Sequence, residues 1–282
     1  IRDSLSKIFS EKCSPEKLKR YDSGFKHDGD LYKFLATNGY LGLGINEKLN
    51  GSGEDLYDLG ILFECLGFHA APLCLTGCLV DVAQTLQKFS KNDNHQSIVS
   101  SITKGEIYTS AILEPLNHDP ENPTTTAVFD DDKIIISGTK YLSEISSLAK
   151  GILISASSNK GVILVLVKTD NVKLTQLTST ANSPLFKVEL NNVSIEQSNI
   201  VHQEGRGLET LRYLLQINMV MRSYIALGVT NKMTSLIASY TSEREQFGRV
   251  IGTFQAVSHR ACLLYTSPSP RDCTRSRMPS SA

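Results

Sequence analysis

The spacing of apolar residues divides the chain into three parts. Up to about residue 110 they recur every three or four positions, which predicts helices. From Tyr108 to about Ile200, short runs rich in Val, Ile and Leu alternate with turn residues, which predicts strands. Between Leu208 and Ser242 the helical spacing returns over one long segment. The helices predicted in the first part cover 30–38, 55–67, 75–89 and 95–104.

These periods predict an α+β multidomain fold. An N-terminal all-α domain (1–110) is followed by a middle β-domain (111–203) and by the start of a C-terminal helical bundle domain (204–261). The predicted strands cover 133–137, 151–156, 161–167, 172–175 and 185–190. Their regular spacing indicates a small barrel or sandwich.

The pattern breaks again at Cys262. Residues 262–282 resemble the conceptual translation of a sequencing adapter, and we expect them to be a non-native tail. The alternative is a natural disordered tail rich in Ser, Pro and Arg. Because the chain also opens at Ile1 rather than at Met, we expect a fragment that is truncated at both ends.

Charge and composition exclude several classes of protein. Lys and Arg together number 29, as do Asp and Glu, so the formal net charge of zero gives no reason to expect a nucleic-acid partner. No apolar run reaches the roughly 18 residues of a membrane span, and no signal peptide opens the chain. We therefore expect a soluble, cytoplasmic protein.

Several residue clusters that could carry chemistry have a structural interpretation. We expect Glu64 to form an ion pair or lie at the surface, and His95 to be a solvated loop residue. Residues 39–53 are rich in glycine but lack the strand and the Lys-Ser/Thr of a nucleotide loop, so we interpret them as a tight crossing. Residues 130–132, three aspartates, indicate a hairpin tip rather than a metal site. The cysteines before the tail are interpreted as buried free thiols: Cys13, Cys65, Cys74 and Cys78.

Candidate binding chemistry is concentrated in residues 240–255. Arg244 offers a guanidinium for a pyrophosphate, Phe247 a flat apolar ring, and Gly248 a backbone that a ligand can approach closely. Such a set suits a dinucleotide cofactor. The alternative is an ordinary helical hairpin in which the Arg is a surface ion-pair partner and the Phe belongs to the core.

This segment resembles the helix-turn-helix of the flavin-dependent acyl-CoA dehydrogenases. Residues 39–72 resemble the N-terminal helical domain of the same family, and the β-region resembles its middle domain more weakly. The resemblance implies FAD as cofactor, α,β-dehydrogenation of an acyl-CoA thioester in lipid metabolism, and a homo- or hetero-oligomer that passes electrons to an electron-transfer flavoprotein. The matched positions are Tyr240, Arg244, Gln246, Phe247, Gly248, Arg249, Ile251, Phe254 and Gln255.

The resemblance also implies cofactor contacts. Arg244 would reach the pyrophosphate of a flavin bound mainly by a neighbouring subunit, with Phe247 packing nearby and Gln255 hydrogen-bonding the cofactor. The backbone amide of Leu113 would serve the flavin pyrimidine, and the Ser143 hydroxyl would reach the ring. The sequence departs from better-known members at Leu113, Leu142 and Glu144, where those members carry Thr, Trp and Thr.

The resemblance supplies no catalytic base. The family's Glu lies either beyond Arg260 or at the position of Asn218, which cannot accept the proton. We therefore assign no catalytic residue and no metal site, and expect the fragment itself to be inactive. Two alternatives stay open: a non-catalytic partner subunit of a heteromeric acyl-CoA dehydrogenase, and a related flavin oxidase or monooxygenase.

Overall fold

The computed structural model describes residues 1–21, 27–53, 55–180 and 182–265. Its first part is helical, and side chains cap several helices: Asp28 accepts a hydrogen bond from Leu31 N, Asp55 from Tyr57 N and Asn92 from Asn94 N. A π-helix, Thr76–Gln84, runs directly into α5. The helices are α1 Arg2–Lys12, α2 Pro15–Tyr21, α3 Gly29–Thr37, α4 Leu56–Phe68, α5 Thr85–Phe89 and α6 Asp93–Thr103.

The predicted helices are confirmed to within two residues at each end, but the prediction for His95 was wrong. Because Asn92 caps α6, the helix begins at Asp93 and includes His95. The imidazole is fully buried, and its Nδ1 lies 2.7 Å from Ser90 Oγ. The cap at Asn92 thus places His95 on the buried face of α6 rather than in the preceding loop.

The middle part is a single curled sheet of seven strands. The strand order is β1-β4-β2-β3-β7-β6, and β5 pairs with β4. The predicted α+β class is confirmed, and each predicted strand lies within or overlaps an observed one. The strands are β1 Tyr108–Ala111, β2 Thr126–Asp130, β3 Lys133–Glu144, β4 Gly151–Ser158, β5 Gly161–Lys168, β6 Lys173–Leu177 and β7 Leu185–Glu196.

The long helix α7, Gly207–Glu243, packs on the N-terminal helices. A Cβ atom built on Gly228 would lie 2.0 Å from the carbonyl oxygen of Glu64, and one on Gly67 would lie 2.1 Å from that of Ile225. Helices α4 and α7 therefore approach each other backbone to backbone. This contact fixes where the middle of α7 lies relative to the rest of the molecule.

After α7 a short hairpin, β8 Glu245–Gln246 and β9 Arg249–Val250, leads into α8, Gln255–Tyr265. The helix continues past Cys262, so the break in apolar spacing is not a break in the helix. The rest of the predicted tail, 266–282, lies outside the described residues.

Several residues that were given a structural interpretation have structural contacts in the fold. Glu64 forms an ion pair with Arg2, at 2.6 Å, as predicted. The four cysteines before the tail are not in disulfides, three of them are buried and Cys74 is partly so, and the described residues contain no metal-ligand cluster. In the glycine-rich crossing, a Cβ atom on Gly51 would lie 1.9 Å from the Ile45 carbonyl oxygen. Within the described ranges, no helix is both long and apolar enough to cross a membrane.

Candidate functional site

A cavity of about 380 Å³ lies where the helical domain, the sheet and α7 meet. The π-helix contributes one residue, the end of β1 and its exit contribute three, and β3 and α7 contribute most of the others. The wall is mainly apolar, with a polar group at one side. The lining residues are Asp81, Ser110, Ile112, Leu113, Tyr141, Leu142, Glu144, Ser183, Leu185, Leu214, Leu215, Asn218 and Arg222.

Asp81 is a buried carboxylate on this wall, with only 4% of its surface exposed. Oδ2 accepts a hydrogen bond from Ser110 Oγ at 2.5 Å, and Oδ1 accepts one from Asn218 Nδ2 at 2.7 Å. Burial raises the pKa of Asp81 to about 7, although both hydrogen bonds oppose this shift. The cavity therefore contains a carboxyl group that titrates near neutral pH.

Two charged side chains continue this polar group. Arg222 Nε donates to Asn218 Oδ1 at 2.8 Å, and Arg222 Nη2 lies 3.1 Å from Glu144 Oε1. Arg222 is largely exposed, whereas the Glu144 side chain is only 20% exposed. Four side chains from three parts of the fold thus form one chain of contacts: Asp81, Asn218, Arg222 and Glu144.

Leu113 and Leu142 form the apolar edge of the cavity. Each is 46% exposed, and the two are tied together because Tyr141 N donates to Leu113 O at 2.8 Å. Leu142 has a φ of 57° within an irregularity of the β3–β7 ladder between Lys140 and Ser143. A left-handed backbone at a branched residue costs free energy and marks a position where the surrounding fold imposes the conformation. Here it holds an apolar side chain outward at the cavity.

The backbone N–H of Leu113 makes no hydrogen bond to another described residue, so it is available as a donor beside the cavity. The Ser143 hydroxyl, by contrast, is buried. It donates to Ser110 O and accepts from Ser146 Oγ, both at 2.7 Å, and Ser143 does not line the cavity. Its position gives the predicted contact with a flavin ring no support.

The remaining predicted cofactor residues lie at the far end of α7. Phe247 is 93% exposed with a φ of 52°, and its ring meets that of Phe254 edge to face at 6.3 Å. Arg244 and Gln255 are also exposed, and no described carboxylate forms an ion pair with Arg244. Residues 240–255 therefore do not form the alternative, an ordinary helical hairpin with a core Phe and an ion-paired Arg.

The predicted cofactor residues therefore fall into two separate groups. At a rise of about 1.5 Å per residue, α7 separates Asn218 from Arg244 by about 39 Å. The cavity group and the Arg244 group cannot both serve one reactive centre within a single chain.

Asp81 and Arg222 line the cavity but were not predicted from the sequence. Asp81 is an ionisable residue inside an otherwise apolar stretch of helix, and such a residue is costly to bury without a purpose. That signal was present, but 137 positions separate Asp81 from Asn218, and only the fold brings them together.

Two helical regions and a sheet, with a mainly apolar cavity where they meet, are an arrangement typical of proteins that bind an organic molecule between structural units. The model of the "Acyl-CoA dehydrogenase, N-terminal domain" family matches residues 1–106. The acyl-CoA dehydrogenase FadE27 of Mycobacterium tuberculosis (strain ATCC 25618 / H37Rv) is 26% identical over 252 residues, which cover 88% of this chain and 65% of FadE27.

Solved structures agree with this assignment. A chain of a variant of the steroid ACAD Tcur3481-Tcur3483 is 28% identical with a TM-score of 0.85, covering 94% of this chain and 72% of that one. A chain of the ChsE4-ChsE5 complex from Mycobacterium tuberculosis has the same fold, with 24% identity, a TM-score of 0.86 and the same coverage. Together, the family model, the relatives and the solved structures support membership of the acyl-CoA dehydrogenase family for this chain. It spans just under two-thirds of the length of FadE27.

Members of this family depend on FAD. The residues described above fit such a cofactor. Leu113 offers an unengaged backbone donor, Leu142 an apolar contact held out by its backbone, and Phe247 and Arg244 an exposed ring and guanidinium.

Proposed function

We propose that the chain is part of an FAD-dependent acyl-CoA dehydrogenase, which removes hydrogen from the α- and β-carbons of an acyl-CoA thioester. The observation that carries the proposal is the cavity between the helical regions and the sheet, which combines a mainly apolar wall with a buried carboxyl group. An acyl chain needs the apolar wall, and abstraction of an α-proton needs the carboxyl group. Bound FAD would supply the hydride acceptor.

The chain's own residues have distinct tasks in this proposal. Leu142, Leu185 and Leu214 would hold the acyl chain and exclude water from the reacting carbons. A second cavity of about 450 Å³ shares Ser183 with the first and is lined largely by apolar residues of α4, of the segment 70–75 that follows it and of α7, which gives a longer chain room to extend. The Leu113 N–H would hold the flavin, and Arg244, Phe247 and Gln255 would reach a flavin in a neighbouring subunit.

A non-catalytic partner subunit is the second candidate. It is favoured by the charged pair Glu144–Arg222 at the cavity, because better-known members carry a neutral Thr where this chain has Glu144. The similar fold of the ChsE4-ChsE5 complex is compatible with a heteromeric assembly. In that case Arg244, Phe247 and Gln255 would contact the flavin of a companion chain.

The experiment that tests the proposal is an anaerobic half-reaction. The whole protein, purified with any companion subunit, is mixed with short, medium, long and branched acyl-CoA thioesters while the visible absorbance of its flavin is recorded. We expect at least one thioester to bleach the flavin and an electron-transfer flavoprotein to restore the colour. Fast recovery in air alone would identify an oxidase instead. If the flavin is retained on the companion subunit alone, the second candidate is correct; a protein without flavin would contradict both.

A further inference from the structure

Asp81 occupies an unusual place in the backbone. It lies in the π-helix Thr76–Gln84, a wide-turn conformation that is rare and often found at functional sites. A Cβ atom on Gly77 would lie 2.5 Å from Thr109 Oγ1, so this helix is pressed against β1. The close packing brings the Asp81 carboxylate to the Ser110 hydroxyl and to the wall of the cavity.

The hydrogen bonds of Asp81 leave it able to accept a proton. Each carboxylate oxygen accepts one hydrogen bond, from Ser110 and Asn218, although it has two lone pairs. Asn218 cannot take a proton itself, but its amide holds the carboxylate beside the position that the family resemblance associates with the base. Arg222 fixes the amide, because its Nε donates to Asn218 Oδ1 and leaves Nδ2 directed at Asp81.

We propose that Asp81 is the catalytic base of this site and accepts the α-proton of the bound acyl thioester, an inference that rests on the proposed function. The α-carbon–hydrogen bond breaks, the proton passes to a carboxylate oxygen of Asp81, and the electron pair is delocalised into the thioester carbonyl. Return of the proton reverses the step, so the transfer itself needs no oxidant. Asn218 and Arg222 are positioning residues.

The charges around Asp81 agree with this role. Glu144 on β3 raises its pKa and Arg222 on α7 lowers it, while burial makes the largest contribution and brings the pKa to about 7. The other titratable side chain on the cavity wall is Tyr141. A base with a pKa near the working pH combines a large ionised fraction with useful basicity.

Proton exchange tests the assignment without net oxidation. The probe is an octanoyl-CoA analogue in which sulfur replaces the β-methylene, so that no β-hydride can leave. The whole flavin-loaded protein is incubated with this analogue in deuterated water, and deuterium at the α-carbon is followed by NMR. Asp81→Asn should lower the exchange rate by about 100-fold or more while the protein still binds flavin and analogue. Asp81→Glu should recover part of the rate.

Asp132→Asn is the matched control, because Asp132 lies exposed at the tip between β2 and β3, away from the cavity. This variant should exchange at the wild-type rate. The wild-type rate should rise about tenfold per pH unit at low pH and level off near pH 7, because only ionised Asp81 accepts the proton. The pH profile does not depend on the folding of any variant.

The outcomes distinguish a wrong assignment of the base from a wrong proposed function. An Asp81→Asn protein that exchanges within about threefold of the wild-type rate, or a flat wild-type profile, overturns the assignment. A wild-type protein that holds flavin and analogue but does not exchange overturns Asp81 as the base, and the anaerobic half-reaction then decides whether the proposed function stands. A wild-type protein that binds neither overturns both.

Discussion

The side chain of Lys140 is completely buried beside Glu114, with Nζ 2.8 Å from Glu114 Oε1. Nζ also donates to Ser155 Oγ at 3.0 Å and to Ile112 O at 3.3 Å, so its three hydrogens are all engaged. Burial lowers the pKa of Lys140 to about 8, and the bond to Glu114 opposes this. Burial would raise the pKa of Glu114, but hydrogen bonds from Lys140, Thr125 and Thr124 hold it well below its usual value. This pair anchors the chain on both sides of Leu113.

Lys140→Met should destabilise the protein strongly. The variant leaves the Glu114 carboxylate buried without its cation, a change that costs about 3–5 kcal/mol in comparable pairs. Urea unfolding of the whole protein measures the loss. The matched control is Lys150→Met, because the Lys150–Glu106 pair is exposed and should contribute little. Equal midpoints for the two variants would show that the buried pair does not hold this part of the fold.

Residue-level chemistry was the least predictable part of the molecule. Glu64 was expected to form an ion pair or to lie at the surface, and the first of these is what the fold shows. Asp81 is likewise an ionisable residue in an apolar helix, but it lies outside the segments that match the family motifs. Its role depends on Ser110, Asn218 and Arg222, which are far apart in the sequence and adjacent only in the fold.

At the scale of elements, the site depends on where α7 lies. Asn218 and Arg222 stand one turn apart on this helix, and the glycine contact at Gly228 lies further along it. Close backbone approach at that contact sets the distance of α7 from α4 and, through it, from the cavity. A larger residue at Gly228 should therefore disturb the site, although it makes no contact with the site residues.

Gly228→Ala should cost about 1–3 kcal/mol of unfolding free energy, because the new methyl would lie 2.0 Å from the Glu64 carbonyl oxygen and force the helices apart. Thermal unfolding with a flavin absorbance readout measures both stability and the site. Gly29→Ala is the control, since a Cβ atom at Gly29 meets nothing within 4 Å and its helical position favours Ala. If Gly228→Ala is as stable as this control, the close approach does not determine the position of α7.

Elements with a strong period were predictable, and those with a weak one were not. Residues 208–242 were predicted as one helix, and α7 spans Gly207–Glu243, because ten turns of regular apolar spacing leave little ambiguity. Strand β2, Thr126–Asp130, was missed because its apolar residues, 127–129, are only three in a row and are flanked by threonines and aspartates. The pairing of β4 with both β1 and β2 follows from tertiary contacts that no local period encodes.

The exposed side of α7 carries the evidence on how this molecule assembles with other chains. Large apolar side chains on it are 40–62% exposed, namely Met219, Val220, Leu227, Val229, Met233, Leu236 and Tyr240. Together with the distance of about 39 Å between the cavity and Arg244, this surface leads to the expectation that another chain packs along α7. Arg244, Phe247 and Gln255 of each chain would then lie at the flavin site of a neighbouring chain.

Flavin content of the whole protein tests this account most directly. The protein is purified with any companion subunit, and bound FAD per chain is measured by absorbance for the wild type and for Arg244→Gln. Arg206→Gln serves as the control at the opposite end of α7, where Arg206 pairs with Glu209 on the surface. The account predicts bound FAD in the wild type and the control and at least tenfold weaker retention in Arg244→Gln, a loss of about 1.4 kcal/mol or more in binding. A wild-type protein without FAD, or an Arg244→Gln protein that holds it as tightly, would contradict the account.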